Sequence, residues 1–187
     1  NPLTQLPGNT QIDLELRRRV DSNEPFALMH IDIDNFKAYN DLYGFLRGDQ
    51  AIRLLARCAG EATGASPSGD GFLGHVGGDD FVAMVPPGDA EEVAQDIIDT
   101  WDRNVASLYD PADVERGYIE VPDRRHRLHR YPLSTLSIGI ATNVHRTIES
   151  HWHASQVASE MRAFAKNSDR SSYEIDRRST DRGPSPE

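Results

Sequence analysis

The stretch HVGGDDFVAMV, residues His75–Val85, places two glycines, two aspartates and an apolar run in direct succession. The segments Phe72–Val76 and Phe81–Val85 have the composition of strands, and the glycine pair between them is typical of a hairpin turn. Aspartates at such a turn are either solvated turn residues or part of a site that binds a metal ion and a nucleotide. The stretch therefore predicts a hairpin and leaves the function of its turn open.

A central strand is predicted over Phe26–Asp34 (FALMHIDID), because apolar residues occupy both alternating faces before acidic residues end the run. Asp32 and Asp34 lie two residues apart, so they would share one face. Carboxylates at the end of a buried strand are destabilising unless they reach water, a partner or a metal ion. If the hairpin lies beside this strand, Asp79 and Asp80 would converge with Asp32 and offer the oxygen ligands that Mg²⁺ prefers. A capping cluster beside a solvated turn explains the same residues, and both explanations stay open.

The other segments alternate between helical and strand-like patterns, so the predicted class is α/β (α+β), with a mixed central β-sheet flanked by helices and an extra β-hairpin. Asp89 is predicted to cap a helix through a capping box with Glu92, and Phe164 is predicted to face inward. Helices are predicted after Asn9 as far as Val20 and over Phe36–Tyr43, Gly48–Thr63, Asp89–Leu108 and His153–Lys166. Further strands are predicted over Leu133–Ala141 and Ser172–Ile175, and the second hairpin over Gly117–Val121 and Arg127–Tyr131.

The composition restricts the classes of partner. The 187 residues carry a net charge of −10, which disfavours a nucleic-acid backbone or an anionic membrane surface as the partner. No apolar run is long enough to span a bilayer, and no signal peptide is recognisable. The single cysteine cannot form an internal disulfide, which fits a reducing, cytoplasmic setting. Because the chain begins with Asn1 rather than Met, we expect it to be a piece of a longer protein.

Together, these motifs resemble the GGDEF family, the bacterial diguanylate cyclase domains. GGDDF (Gly77–Phe81) is similar to the family signature, with Asp80 at the position usually taken by Glu. The longer stretch DIDNFKAYNDLYGFLRGDQAI (Asp32–Ile52) resembles the family's D-x-D-x-F-K-x-x-N-D-x-x-G-H-x-x-G-D block. Three further stretches resemble family motifs in the same order: LTQLPGN (Leu3–Asn9), LSIGIA (Leu136–Ala141) and AKNSDR (Ala165–Arg170).

The resemblance extends over Asn1–Ile175 and implies the domain organisation. We expect a GGDEF domain over residues 1–178, with residues 110–132 as an inserted hairpin segment. Residues 179–187 are expected to form a disordered tail. Family members are usually driven by an attached domain, so an N-terminal sensory or receiver domain is expected outside this chain.

The resemblance also implies an activity: two GTP molecules, one on each domain of a homodimer, condense to cyclic di-GMP and pyrophosphate with the help of Mg²⁺ (or Mn²⁺). The implied metal ligands are the carboxylates of Asp32 and Asp79 and the carbonyl of Ile33. The implied catalytic residues are Asp80 and Lys37. The implied substrate-binding residues are Phe36, Asn40, Asp49, Gly77, Gly78, Lys166 and Arg170.

Each implied role has a structural alternative. Phe36 could be a core residue, Lys37 could form a surface ion pair, and Asn40 or Asp49 could cap a helix. Lys166 and Arg170 lie at a predicted helix end, where cations complement the helix dipole in any case.

Several departures from the family pattern put turnover in doubt. Asp80 is one methylene shorter than Glu, and a shift of about 1 Å at a catalytic group can lower the rate by about 100-fold. Phe45 replaces the usual His, His75 the usual Arg, and Asp169 the usual Gly. The alternative is therefore a degenerate GGDEF domain that binds GTP as a regulatory or sensor module without turnover. A structural dimerisation module and a cyclase acting on another purine nucleotide are further alternatives.

The inserted segment contains the basic stretch DRRHRLHR (Asp123–Arg130). It is either a solvated hairpin or a contact for a partner domain or an anion. It is too short and local to indicate nucleic-acid binding in an acidic chain.

Overall fold

A computed structural model describes residues 1–179, so the predicted tail lies outside the described residues except for Ser179. The main sheet has five strands in the order β2–β3–β1–β6–β7, and a separate two-stranded sheet pairs β4 with β5. The strands are β1 (Ala27–Ile33), β2 (Phe72–Gly77), β3 (Asp80–Val85), β4 (Tyr118–Pro122), β5 (Leu128–Pro132), β6 (Leu136–Thr142) and β7 (Ser172–Ile175).

Six helices accompany these strands in the part of the chain that the structure describes. They are α1 (Asn9–Ser22), α2 (Phe36–Tyr43), α3 (Phe45–Gly64), α4 (Ala90–Asn104), α5 (Pro111–Arg116) and α6 (His151–Ala165), with short 3₁₀ turns at Pro87–Asp89 and Val105–Leu108. No helix among the described residues combines the length and the apolar composition needed to cross a membrane.

Strand β1 is the centre of the main sheet, as its sequence predicted. It pairs antiparallel with β3 on one side and with β6 on the other. Met29 and Ile31 belong to the apolar core shared with α3 and α4, whereas Leu28 belongs to the core shared with α1 and α6. Helices therefore cover both faces of β1, which is why its sequence is apolar on both faces. Strands β6 and β7 are parallel, so the sheet is mixed.

The second hairpin is present as predicted, with β4 and β5 each shifted by one residue from the predicted bounds. The short helix α5 before it was not predicted. Its sequence carried the signals, because Pro111 occupies the first turn and Gly117 ends the helix with φ +76°. Ile119 and Val121 bury one face of the hairpin in the core.

Three local predictions were wrong. The Asp89 carboxylate does not cap α4; it accepts hydrogen bonds from Ser66 Oγ (2.5 Å) and from the backbone N–H of Ser68 (3.0 Å). Phe164 does not face inward, since it is 56% exposed. Helix α3 begins at Phe45 rather than Gly48. The error at Asp89 arises because its hydrogen-bond partners, Ser66 and Ser68, lie more than 20 residues earlier in the chain.

Candidate functional site

Acidic residues from two neighbouring strands meet at one end of the main sheet. The register of β1 and β3 pairs Ile31 with Phe81, so the following residue of β1, Asp32, lies beside Asp80. This arrangement confirms that the hairpin lies next to the central strand. The sequence prediction that acids from both strands converge is therefore correct.

Asp32 is buried and bound to two cations of α6. Its Oδ1 accepts a hydrogen bond from Arg162 Nη1 at 3.0 Å, and its Oδ2 lies 2.6 Å from Lys166 Nζ. Burial raises the pKa of Asp32, and the two cations oppose that shift. Lys166 lies one residue beyond α6, where its charge complements the helix dipole and also forms an ion pair with Asp32.

Arg162 was not predicted as a site residue. The same Nη1 that contacts Asp32 also lies 2.5 Å from Oδ1 of Asp80, whose side chain is 48% exposed. A signal was available, because Arg162 and Lys166 are four residues apart and therefore share a face of the helix. What sequence alone does not give is the direction of that face.

Gly139 brings α6 this close to the sheet. A Cβ atom on residue 139 would lie 2.1 Å from both the carbonyl oxygen of Ala158 and the backbone nitrogen of Arg162. Only glycine therefore permits this approach. His30 of β1 lies under the same helix, with Nδ1 3.0 Å from Ser159 Oγ. Burial, reinforced by Arg162, lowers the pKa of His30 to about 4, so the ring is neutral near pH 7.

Asp79 lies in the turn between β2 and β3. Gly78, the first central residue of this two-residue turn, has φ +58°, the sign that tight hairpin turns of the II′ type require at this position. Burial, followed by the negative charges of Asp32 and Asp80, raises the pKa of Asp79 to about 6. The three carboxylates are therefore close enough to interact electrostatically.

The donor set fits a hard divalent cation in part. Carboxylates of Asp32 and Asp79 are suitable oxygen donors, and Ile33 ends β1 between Asp32 and Asp34. Asp34 does not offer its carboxylate to the same site. Instead, the carboxylate accepts hydrogen bonds from Thr135 Oγ1 (2.8 Å) and Ser137 Oγ (2.8 Å). Within residues 1–179, no group of three or more His, Cys, Asp or Glu side chains could hold a metal ion. A bound cation would thus need ligands from the backbone, water or a substrate, as is usual for Mg²⁺.

A cavity of about 330 Å³ adjoins the turn. Its walls include Phe36, Asn40, Phe45, Asp49 and Gly78. Oδ1 of Asn40 is buried and has no hydrogen-bond partner. A buried polar atom without a partner is unusual in a folded protein.

The helix-capping explanations for Asn40 and Asp49 do not hold. Asn40 lies inside α2, and Asp49 is the fifth residue of α3, whose N-cap is Gly44. Both residues line the cavity instead, on neighbouring helices.

The His75 side chain holds the turn between β2 and β3 in place. Its Nε2 lies 2.9 Å from the carbonyl oxygen of Gly78, and its Nδ1 lies 3.0 Å from Thr4 Oγ1. A carbonyl can only accept, so Nε2 donates to Gly78, and in the neutral imidazole Nδ1 then accepts from the threonine hydroxyl. The ring also stacks on Phe81 with centroids 4.2 Å apart. His75 therefore links the LTQLPGN segment to the hairpin turn, a role that the sequence did not suggest.

Lys37 and Arg170 do not join the acidic cluster. Lys37 is exposed and lines a second cavity of about 440 Å³ with residues of the β4–β5 hairpin such as Arg124. Arg170 is exposed beside Asp99 and Asp102 in a cavity of about 420 Å³. Neither forms an ion pair within residues 1–179. Their contacts with a phosphate group remain predictions.

The fold is that of a known class of protein domain, and the comparisons with known proteins identify the class. The family model described as "Diguanylate cyclase, GGDEF domain" matches residues 1–171. The chain therefore belongs to the GGDEF domain family.

Solved structures agree with this assignment at the level of the fold. The GGDEF domain of TpbB (YfiN) from Pseudomonas aeruginosa superimposes with a TM-score of 0.69 at 21% identity, over 94% of this chain and 92% of that one. The GGDEF domain of DgcB from Caulobacter crescentus, solved in complex with c-di-GMP, gives a TM-score of 0.65 at 24% identity, over 92% of each chain.

Curated relatives match over about half of this chain. Diguanylate cyclase DgcZ from Escherichia coli is 34% identical over 95 residues, which are 50% of this chain and 31% of DgcZ. Diguanylate cyclase DgcP from Pseudomonas aeruginosa is 33% identical over 90 residues, which are 46% of this chain and 13% of DgcP. The matched part is thus a small portion of each relative.

Proposed function

We propose that this domain is a diguanylate cyclase, which condenses two GTP molecules into cyclic di-GMP and two pyrophosphates. The observation that carries the proposal is the cavity beside the signature turn. Asn40 and Asp49 line it, the unpartnered Oδ1 of Asn40 is buried there, and Gly78 leads from it directly to Asp79 of the acidic cluster. A base-binding cavity next to a cluster of carboxylates is what a metal-dependent nucleotide reaction needs.

The guanine would occupy this cavity. A carboxylate can accept hydrogen bonds from both N1–H and N2–H of guanine, so Asp49 suits that edge, and the Asn40 side chain would gain the partner that it lacks. Phe36 would form part of the wall. The absence of side chains at Gly77 and Gly78 would let the chain pass close to the phosphates.

The acidic cluster would hold the divalent cation. Asp32 and Asp79 would bind it through carboxylate oxygens with help from the Ile33 carbonyl. Mg²⁺ or Mn²⁺ held there would polarise the α-phosphate and neutralise developing charge. Asp80 would accept the proton of the 3′-hydroxyl, and Lys166, Lys37 and Arg170 would pair with phosphate oxygens.

The reaction would require two copies of the domain. Each domain would bind one GTP in this cavity, and the 3′-oxygen of each ribose must attack the α-phosphorus of the other nucleotide. A homodimer would therefore bring two half-sites face to face. An attached sensory or receiver domain would control that pairing, and the use of GTP would place the reaction in the cytoplasm.

The test is chromatography of the products formed from GTP and Mg²⁺ at high protein concentration. Asp79→Asn removes one carboxylate at constant size, and Asp21→Asn, an exposed residue of α1, serves as the matched control. Cyclic di-GMP from the parent and from Asp21→Asn, with little or none from Asp79→Asn, is the expected result. Absence of product from the parent under conditions where GTP binds would reject the cyclase.

A second candidate is a domain that binds GTP without turnover and acts as a regulatory or sensor module. The observation that favours it is the contact between Asp80 and Arg162, which holds the shortened acid in an ion pair. This candidate predicts GTP binding by calorimetry and no cyclic di-GMP.

A further inference from the structure

We propose that Arg162 is a built-in counter-ion that occupies the carboxylates of the metal site and sets the concentration of divalent cation at which the site fills. This inference rests on the proposed function, because it takes Asp32 and Asp79 as the ligands. It assigns a role to a residue that the implied site residues do not include.

The contacts of Asp32 carry the first step. Arg162 Nη1 lies 3.0 Å from Oδ1 and Lys166 Nζ lies 2.6 Å from Oδ2, so protein cations occupy both oxygens of this carboxylate. A divalent cation that binds Asp32 therefore competes with these two cations for the carboxylate.

The position of Arg162 makes it the competitor. The same Nη1 is also 2.5 Å from Asp80 Oδ1, so the guanidinium bridges two carboxylates that face the proposed cation. Lys166 forms an ion pair with Asp32 but with neither of the other two aspartates of the cluster, and it lies just beyond the end of α6. The backbone of Arg162 is fixed, because Gly139 lets α6 pack directly against β6 at this residue.

The charges of the cluster give the direction of the effect. Asp32, Asp79 and Asp80 carry three negative charges when ionised, and Arg162 and Lys166 return two positive ones. Replacing Arg162 by a neutral residue would raise the net negative charge from one to two and free an oxygen of Asp32. Both changes favour a divalent cation.

The experiment is a titration of the protein with Mn²⁺ alone, in which electron paramagnetic resonance measures the free ion. In Arg162→Met, which keeps an unbranched side chain on the helix, the Mn²⁺ dissociation constant should fall by about tenfold or more, because a cation a few ångströms away is lost. Arg162→Lys keeps the positive charge, so its Mn²⁺ dissociation constant should stay nearer to that of the parent. Arg17→Met removes an arginine from an exposed pair with Asp13 and should change nothing.

Equal or weaker Mn²⁺ binding by a folded Arg162→Met variant would overturn the inference, as would an equal gain in Arg17→Met. Near-UV circular dichroism and thermal unfolding establish that each variant is folded. The experiment also distinguishes failure of this inference from failure of the proposed function. Tighter Mn²⁺ binding by Arg162→Met without cyclic di-GMP from any protein would support the counter-ion and contradict the cyclase.

Discussion

Gly48 leaves room for the side chain of Asn40. A Cβ atom on residue 48 would lie 1.9 Å from Asn40 Oδ1 and 2.9 Å from its Cγ. The glycine is in helix α3, where alanine would otherwise be more stable by about 0.5–1 kcal/mol. Glycine at residue 48 therefore makes α3 less stable but leaves the space that the Asn40 side chain occupies.

Replacement of Gly48 by alanine should weaken nucleotide binding more than it alters folding. The added methyl group meets the far end of a flexible side chain, so Asn40 can turn away at small cost, but it then leaves the cavity. Loss of one hydrogen bond to a buried partner corresponds to about a tenfold loss of affinity. Calorimetric titration with α,β-methylene GTP, which cannot release pyrophosphate, measures the change.

Gly60→Ala is the matched control for this variant. It lies in the same helix, and its Cβ would meet only Leu73 Cδ2 at 3.8 Å, an ordinary contact. Affinity should therefore stay at the level of the parent. If Gly48→Ala also bound as the parent does, Asn40 would not contact the nucleotide.

The sequence predicted the elements whose patterns depend on near neighbours. Strand β1 was recognisable because apolar residues on both faces require helices on both sides, and the glycine pair indicated the β2–β3 hairpin. Asp32, Asp79 and Asp80 follow from these two elements, since adjacent strands bring their ends together.

Contacts between distant segments could not be predicted in this way. Arg162 and Asp32 are 130 residues apart, and their contact depends on how closely α6 packs on β6 at Gly139. His75 and Thr4 are 71 residues apart, and the sequence around neither residue indicates that the two side chains are in contact. The same reason explains Asp89, whose partners Ser66 and Ser68 belong to the loop after α3.

Lengthening Asp80 by one methylene should raise turnover. Asp80→Glu would extend the carboxylate by about 1 Å, and we expect about a tenfold or larger increase in kcat with little change in KM. The rate of pyrophosphate release at saturating GTP and Mg²⁺ provides the measurement. Asp80→Asn, which keeps the size and removes the charge, should lower kcat, and equal rates for Asp80→Asn and the parent would exclude Asp80 from the chemistry.

Cys58 should be unreactive in the folded domain. The thiol is buried in α3, and burial raises its pKa from 9.0 to about 11. At pH 8 the folded protein should therefore react with a disulfide reagent only through unfolding, because the thiolate is the reactive form. The labelling rate in increasing urea tests this, and fast labelling without urea would contradict it.

The same pKa shift predicts a dependence of stability on alkaline pH. The unfolded thiol loses its proton near pH 9 and the folded thiol near pH 11, so the folded state binds more protons in between. The contribution of Cys58 to the free energy of unfolding is thus complete below pH 9 and is lost as the pH rises to about 11. Urea denaturation of the parent and of Cys58→Ala across this range should show a steeper decline for the parent.

The Asp123 side chain should keep the turn of the β4–β5 hairpin ordered. Its carboxylate accepts hydrogen bonds from the backbone N–H groups of Arg125 (2.8 Å) and Arg127 (3.0 Å), from Arg127 Nε (2.9 Å), and from His129 Nε2 (3.1 Å). The hydrogen bond from the Arg127 backbone is the main reason why the pKa of Asp123 falls to about 2. One side chain thus organises a turn in which His126 has φ +60°.

Asp123→Ala should make this turn a preferred site of trypsin cleavage, since arginines 124, 125 and 127 would lose their ordered backbone. Limited proteolysis with mass spectrometry should show severalfold faster cleavage at these arginines, while thermal unfolding of the main sheet changes little. Asp123→Asn keeps a hydrogen-bond acceptor and should be cleaved at an intermediate rate. His126→Gly relieves the left-handed backbone and should not accelerate cleavage. Equal cleavage of Asp123→Ala and the parent would show that strand pairing between β4 and β5 orders the turn without Asp123.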